Sequence, residues 1–282
     1  MLNVITFRIC FRSLMEDGFS FGITIVRHGQ TDSNHKNIIQ GHLDDALNCT
    51  GLYQASSLGK YLQDEKFNFC YASDLSRALT TAKIILHNNK NDTQLCVTQL
   101  LRERNYGEIQ GKSVSELNKL AKLHDQKTPF FVPNGAESIE EMGGRAKRVF
   151  QQIVDDLKSH KTYPLYNSKT DEDFKKLRLP NMNRKSWLRI ENTNAQVSEL
   201  KHLNSNILIV SHGGMIREIL RFIIEKHSHT IPAEMQSKVF GCSPNTGFTR
   251  IICNLKSSVP SFEILGVHMA KHLPHHNSSS TK

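Results

Sequence analysis

The sequence predicts an α/β fold, a three-layer α/β/α arrangement with a mainly parallel central sheet. Two observations predict it. Short β-branched apolar runs alternate with longer segments whose apolar residues recur at helical spacing, and that alternation builds a parallel sheet covered on both faces. The strongest short runs also stop abruptly at polar residues followed by glycine, as buried strands do at a sheet edge.

The elements follow in order. Residues 1–20 read as an N-terminal extension. Arg8 and Arg12 lie there among apolar residues, with no acid before Glu16, which suits a targeting segment or an untidy extension; the second is preferred, with Met15 as an alternative start. The main domain is assigned to residues 21–268. Phe21-Gly22-Ile23-Thr24-Ile25-Val26 is a buried strand ending at Arg27-His28-Gly29, and a helix follows over 52–62. A second strand, 69–72, ends in Ser73-Asp74-Leu75-Ser76-Arg77, before a helix with Ala78, Ala82, Ile85 and Leu86 on one face. Residues 94–100 read as a third strand. Helices over 113–123 and 138–158 each open on a serine whose hydroxyl can accept from the free amides of a first turn. Residues 160–204 are polar, without steady period, and are expected to be an insertion or mobile excursion. Ile207-Leu208-Ile209-Val210 is the strongest strand signal, ending in Ser211-His212-Gly213-Gly214 before a helix over 215–224. Strands over 247–255 and 262–267 close the domain, and 269–282 is expected to be a disordered tail.

Composition bounds the function. A chain of 282 residues with 38% apolar and 22% charged residues reads as a soluble globular protein. No run reaches the roughly 18 to 20 apolar residues of a spanning helix, so no transmembrane segment is expected. Lysines and arginines number 36 against 27 acids, a net charge of +9 that suits an anionic partner: a phosphorylated metabolite, nucleic acid or an acidic membrane surface. The six cysteines are scattered, with no C-x-x-C pair, as in a reducing compartment; neither a disulfide framework nor a zinc site is expected.

The chemistry gathers where strands end, because an open parallel sheet binds ligands beyond its carboxyl edge. Arg27 and His28 leave one predicted strand, Arg77 follows a second, His212 leaves a third, and Glu103 lies just beyond another. Two guanidinium forks match phosphate oxygens. A neutral imidazole between them is a competent nucleophile toward phosphorus, and a second histidine adds a donor for the charge of the transition state. The carboxylate can protonate a departing alkoxide and then take a proton from water. Gly29, Gly213 and Gly214 let the backbone approach the anion. With no aspartate cluster and no H-E-x-x-H, no metal or cofactor is expected. The cations at Lys175, Lys176, Arg178, Arg184 and Lys185 read as a solvated face, so nucleic acid is not expected as a partner.

Arg27-His28-Gly29-Gln30-Thr31 with Asn34, then Ser73 to Arg77, Arg102 to Gly107 and Ser211-His212-Gly213 resemble, in order, the motifs of the histidine phosphatase (phosphoglycerate mutase-like) superfamily. The resemblance spans residues 22 to about 267 and implies a phosphoglycerate mutase-like fold. It implies that His28 is phosphorylated, that Arg27, Arg77 and His212 hold the phosphoryl group, and that Glu103 is the acid/base. Asn34, Gly29, Gln40, Gly213, Asn245 and Thr246 are implied as phosphate or substrate contacts, the last two from Pro244-Asn245-Thr246-Gly247, which resembles a family loop beside the pocket. Ile38-Ile39-Gln40-Gly41, residues 101–107 and 243–247, and the polar insertion resemble more narrowly the fructose-2,6-bisphosphatase-like members, which implies hydrolysis of that 2-phosphate in the control of glycolysis and apoptosis. The chain departs from that pattern in its extension and at Ala46, where many relatives have proline. Residues 112–133 contain lysines but no arginine, which favours hydrolysis over mutase chemistry. The alternatives are a broad phosphatase on 2,3-bisphosphoglycerate or other small phosphorylated acids, or a non-catalytic binding module, for example at an organelle surface. The expected location is cytoplasmic, with nuclear or mitochondrial-surface pools as further readings.

Overall fold

The computed structural model describes residues 19–179, 203–226, 237–255 and 261–273. The extension over 1–18, the middle of the insertion over 180–202 and the tail over 274–282 lie outside the described residues. The chain runs β1 (Ser20–Arg27), α1 (Asp32–His35), α2 (Cys49–Tyr61), β2 (Phe69–Ser73), α3 (Ser76–Asn88), β3 (Gln94–Thr98), α4 (Val114–Leu123), α5 (Ile139–Lys158), α6 (Glu172–Lys175), β4 (Ser205–Ser211), α7 (Gly213–Lys226), β5 (Phe248–Asn254) and β6 (Ser261–Met269).

The strands form one sheet in the order β3-β2-β4-β1-β5-β6. Pairs β2–β3, β2–β4 and β1–β4 are parallel, while β5 runs antiparallel to both β1 and β6. Alternation along the strands divides the core between two faces, as a period of two requires. Phe21, Ile23, Ile25, Ile207 and Ile209 face one way, against Met142, Val149, Phe150, Ile216 and Leu220 of α5 and α7. Cys70, Ala72, Leu208 and Val210 face the other, against Leu58, Leu62, Ala78 and Ala82 of α2 and α3. Ser113 and Ser138 do open α4 and α5, each in a reciprocal capping box with the glutamate three residues on, Glu116 or Glu141.

Three expectations change. The third strand stops at Thr98, because residues 99–101 tighten into a 3-10 turn capped by the Thr98 hydroxyl. Residues 160–179 pack on the domain instead of leaving it. Leu165 bridges to Gln94, Phe174 is buried with Ala55 and Ile84, and Asp171 pairs with Lys83 at 2.6 Å. Apolar residues set within a polar run make that docking possible, and average composition hid them. Residues 269–273 are likewise ordered into the domain: Met269 ends β6, and His272 is buried with Nε2 2.9 Å from the Thr246 hydroxyl.

The edge of the core holds a charge pair. Arg250 of β5 donates to Glu65, and both side chains are almost fully buried. Removing one partner of such a pair strands an uncompensated charge. Arg250→Met should therefore lower urea-unfolding stability by about 3–5 kcal/mol, while the apolar double replacement Glu65→Leu/Arg250→Met should recover part of it. A single variant as stable as the parent would contradict this.

Candidate active site

Register places the site. Arg27 is opposite Ser211 at the carboxyl end of the β1–β4 ladder, and the His28 amide donates to Ser211 O at 2.9 Å. The next residues, His28 and His212, are thereby brought together, with ring centroids 5.1 Å apart. Turning β1 so sharply needs close backbone approach. A Cβ on Gly29 would stand 2.6 Å from Gly51 O, so only glycine fits beside the start of α2.

His28 is buried, and its Nδ1 lies 2.7 Å from Gly29 O. A carbonyl only accepts, so Nδ1 carries the proton and Nε2 keeps its lone pair. Burial, then the charges of Arg77 and Arg27, hold the imidazole well below its ordinary pKa. His212 is fully buried and depressed for the same reasons, burial first and Arg77 next. Its Nε2 meets the Ser73 hydroxyl at 2.9 Å. That oxygen also accepts from the Leu75 amide at 3.4 Å.

The arginines are fixed by backbone carbonyls. Arg77 is 1% exposed and donates to Leu43 O at 2.6 Å and Gly41 O at 2.7 Å. Arg27 donates to Ser243 O at 2.6 Å and to Cys242 Sγ at 3.2 Å. Three buried nitrogens at this edge have no protein partner: Arg27 Nε, Arg77 Nε and His212 Nδ1. An unsatisfied buried donor costs about 1–3 kcal/mol, so the free Nε groups of two neighbouring arginines suit an anion. The Glu103 carboxylate is oriented by two amides, Arg104 N at 2.8 Å and Gly214 N at 3.0 Å. Its neighbours turn away. Arg102 forms a two-pronged pair with Asp74 at 2.8 and 2.6 Å, and Arg104 donates to the carbonyls of Pro129, Phe131 and Glu137.

Arg27, His28, Arg77, Glu103, Asn34, Gln40 and Gly213 line one cavity of about 280 Å³, whereas His212 lies outside its lining, behind His28. Residues 23–201 match the sequence profile of the histidine phosphatase superfamily (branch 1). The chain belongs to this superfamily. Two relatives are fructose-2,6-bisphosphatase TIGAR proteins. That of Bos taurus is 31% identical over 90% of this chain and 96% of its own. That of Xenopus tropicalis is 29% identical over 93% and 98%. A phosphoglycerate mutase from Bacillus anthracis shares the fold with a TM-score of 0.59, at 19% identity over 90% of this chain and 96% of its own. This histidine phosphatase is a phosphoric monoester hydrolase.

Three expected substrate contacts of the phosphatase, Gly29, Asn245 and Thr246, lie outside the cavity lining and brace backbone. The Gly29 amide is taken by the Thr81 hydroxyl at 3.0 Å. Asn245 donates to His28 O at 3.0 Å and to Asn34 Oδ1 at 3.2 Å. The Thr246 amide donates to Arg27 O at 3.0 Å, and its φ of 59° is held by hydroxyl bonds to Asn245 O and His272. All three fix the backbone that carries His28. Other lining residues were missed: Ile38, Tyr106, Val114, Cys242 and Arg217. Arg217 had a signal, since it lies one turn past Gly213 on a predicted helix and so shares its face. Among the described residues no group of three or more His, Cys, Asp or Glu side chains is placed to hold a metal, and no helix is long and apolar enough to cross a membrane.

The depressed histidines tie stability to pH. An unfolded chain protonates them near the ordinary value of about 6.5, whereas the folded chain resists, so stability is lost as pH falls below that value. Urea midpoints should drop on acidification, and His212→Asn should flatten the drop. The same steepness in both proteins would place the acid sensitivity elsewhere.

Proposed function

We propose that this phosphatase works without a metal, through a phosphohistidine on Nε2 of His28, and removes the 2-phosphate of fructose 2,6-bisphosphate. The reading rests on one observation above all: the Gly29 carbonyl fixes the His28 tautomer so that a neutral, unshared Nε2 faces a cavity flanked by two guanidiniums. In the first step Nε2 forms a bond to phosphorus while the bond to the sugar oxygen breaks, and Glu103 gives that oxygen a proton. In the second, water attacks the phosphohistidine, Glu103 takes a proton, and phosphate leaves with the imidazole restored. Arg27, Arg77 and Nδ1 of His212 hold the equatorial oxygens as charge spreads. Each Glu103 oxygen accepts one amide, which leaves lone pairs for the proton.

The substrate reading draws on the names of the relatives and on Arg217, a further cation in the cavity wall that suits a second phosphate. Hydrolysis of that regulator lowers glycolytic flux. A second reading, 2,3-bisphosphoglycerate or another small phosphorylated acid, is favoured by the same residue, because one guanidinium receives a carboxylate as readily as a phosphate. The described cysteines are unpaired, which suits the reducing cytoplasm.

A kinetic screen of purified protein over phosphorylated metabolites should rank fructose 2,6-bisphosphate first by kcat/KM; a phosphorylated acid ranking first would support the second reading. Rapid quench with labelled substrate should trap acid-labile, alkali-stable phosphate on the protein, and His28→Ala should lose both label and turnover. Label surviving on His28→Ala would refute the nucleophile. Chelators should leave the rate unchanged, and a loss restored by Mg²⁺ or Zn²⁺ would refute the metal-independent route.

A further inference from the structure

The segment carrying Glu103 has little regular structure of its own. It leaves β3 through a single 3-10 turn at Gln99–Leu101 and continues as an irregular strip to Gly107. One side chain from α5 braces most of it, beside the Ser211 hydroxyl, which donates to Leu101 O at 2.7 Å, and His42, whose Nε2 lies 2.9 Å from Glu103 O. The Arg145 guanidinium has five N–H donors, and all five are used. Nε and Nη2 form a fork on Glu137, at 2.6 Å to each carboxylate oxygen. The remaining three donate to main-chain carbonyls of the strip: Leu100 O at 3.0 Å, Arg102 O at 2.8 Å and Glu103 O at 3.0 Å. Glu137 completes the clamp through its own backbone. Its amide donates to Asn105 O at 2.9 Å, and its carbonyl accepts Arg104 Nε at 2.7 Å. Both side chains are largely buried, at 12% and 13% exposed.

We propose that Arg145, oriented by Glu137, is a positioning residue for the proton-transfer step: it acts on the backbone of Glu103 and touches no substrate. The proposal rests on the acid/base reading of Glu103. Its physical basis is that the Glu103 carboxylate takes its direction from main-chain amides, so the placement of residues 100–104 sets where its proton points. Only a planar fork meets a carboxylate and three carbonyls at once; a lysine ammonium has three donors and no plane. Misplacing a reacting group by about 1 Å can slow a reaction about 10²-fold. The loss should fall on the step that needs a proton donor.

The test is single-turnover phosphoryl transfer from two substrates, the best alkyl phosphate of the screen and para-nitrophenyl phosphate, whose leaving group needs no proton. Arg145→Lys should slow the alkyl phosphate about 10- to 10²-fold and the nitrophenyl ester much less, with KM for both little changed. In a Glu103→Gln background the same substitution should add almost nothing. Glu137→Gln, which leaves the guanidinium in place without its orienting charge, should give a smaller loss of the same selectivity and covers the case of a lysine variant that does not fold. Equal slowing of both substrates by Arg145→Lys and Glu137→Gln, beside a selective Glu103→Gln, overturns the proposal alone. A Glu103→Gln that itself slows both alike overturns the acid assignment, and the proposal with it.

Discussion

Everything beyond the sheet's edge follows from how β1 lies against β4. With Arg27 opposite Ser211, the two strands end level, and the residue after each is a histidine. Side-chain direction alternates along a strand, so a shift of one residue would turn one imidazole to the other face and part the rings. The register is held by core packing on both faces, Ile23, Ile25, Ile207 and Ile209 on one and Leu208 and Val210 on the other. The geometry of the phosphate pocket is thus inherited from the hydrophobic core.

The pocket then works against the ordinary preferences of its groups. Buried cations and unshared donors raise the free energy of the protein on its own, and burial makes each more sensitive to charge than water would. The same arrangement favours neutral His28 and His212, first because both are buried and then because each faces the fields of Arg77 and Arg27. An imidazole held unprotonated beside two guanidiniums would need no separate base to act as a nucleophile. Backbone carbonyls accept from Arg77 and Arg27 and hold those cations in place, while Arg102 is paired with Asp74.

Much of this was legible in the sequence, and the exceptions share a cause. Strand ends are readable because apolar runs stop where the sheet stops, which located Arg27, His28, Arg77 and His212. Motif spacing located Glu103. Sequence could not tell a residue that faces a ligand from one that holds the backbone behind it, since both sit in the same short loop. Gly29, Asn245 and Thr246 were read as contacts and prove to be supports. Arg145 and Glu137 stayed invisible for a complementary reason. They are distant in sequence from the strip they clamp, Glu137 before the start of α5 and Arg145 within it, and no periodicity joins them. The docked part of the insertion was hidden because Tyr166, Phe174, Leu177 and Leu179 are scattered without a period through a polar stretch, and only the cleft near Ala55 and Ile84 gathers them.

The contact between His272 and Thr246 has a consequence for the integrity of the gene product. His272 follows the last strand, yet its ring closes over the residue whose amide holds the carbonyl of Arg27. A message cut short just after β6, or a nick by a protease there, would leave every strand paired while removing the ring that packs on Phe248 and Tyr61. Thr246 would then keep its left-handed backbone without the imidazole that braces it, one step from His28. Such a product would pass inspection as a folded protein and yet be damaged as an enzyme.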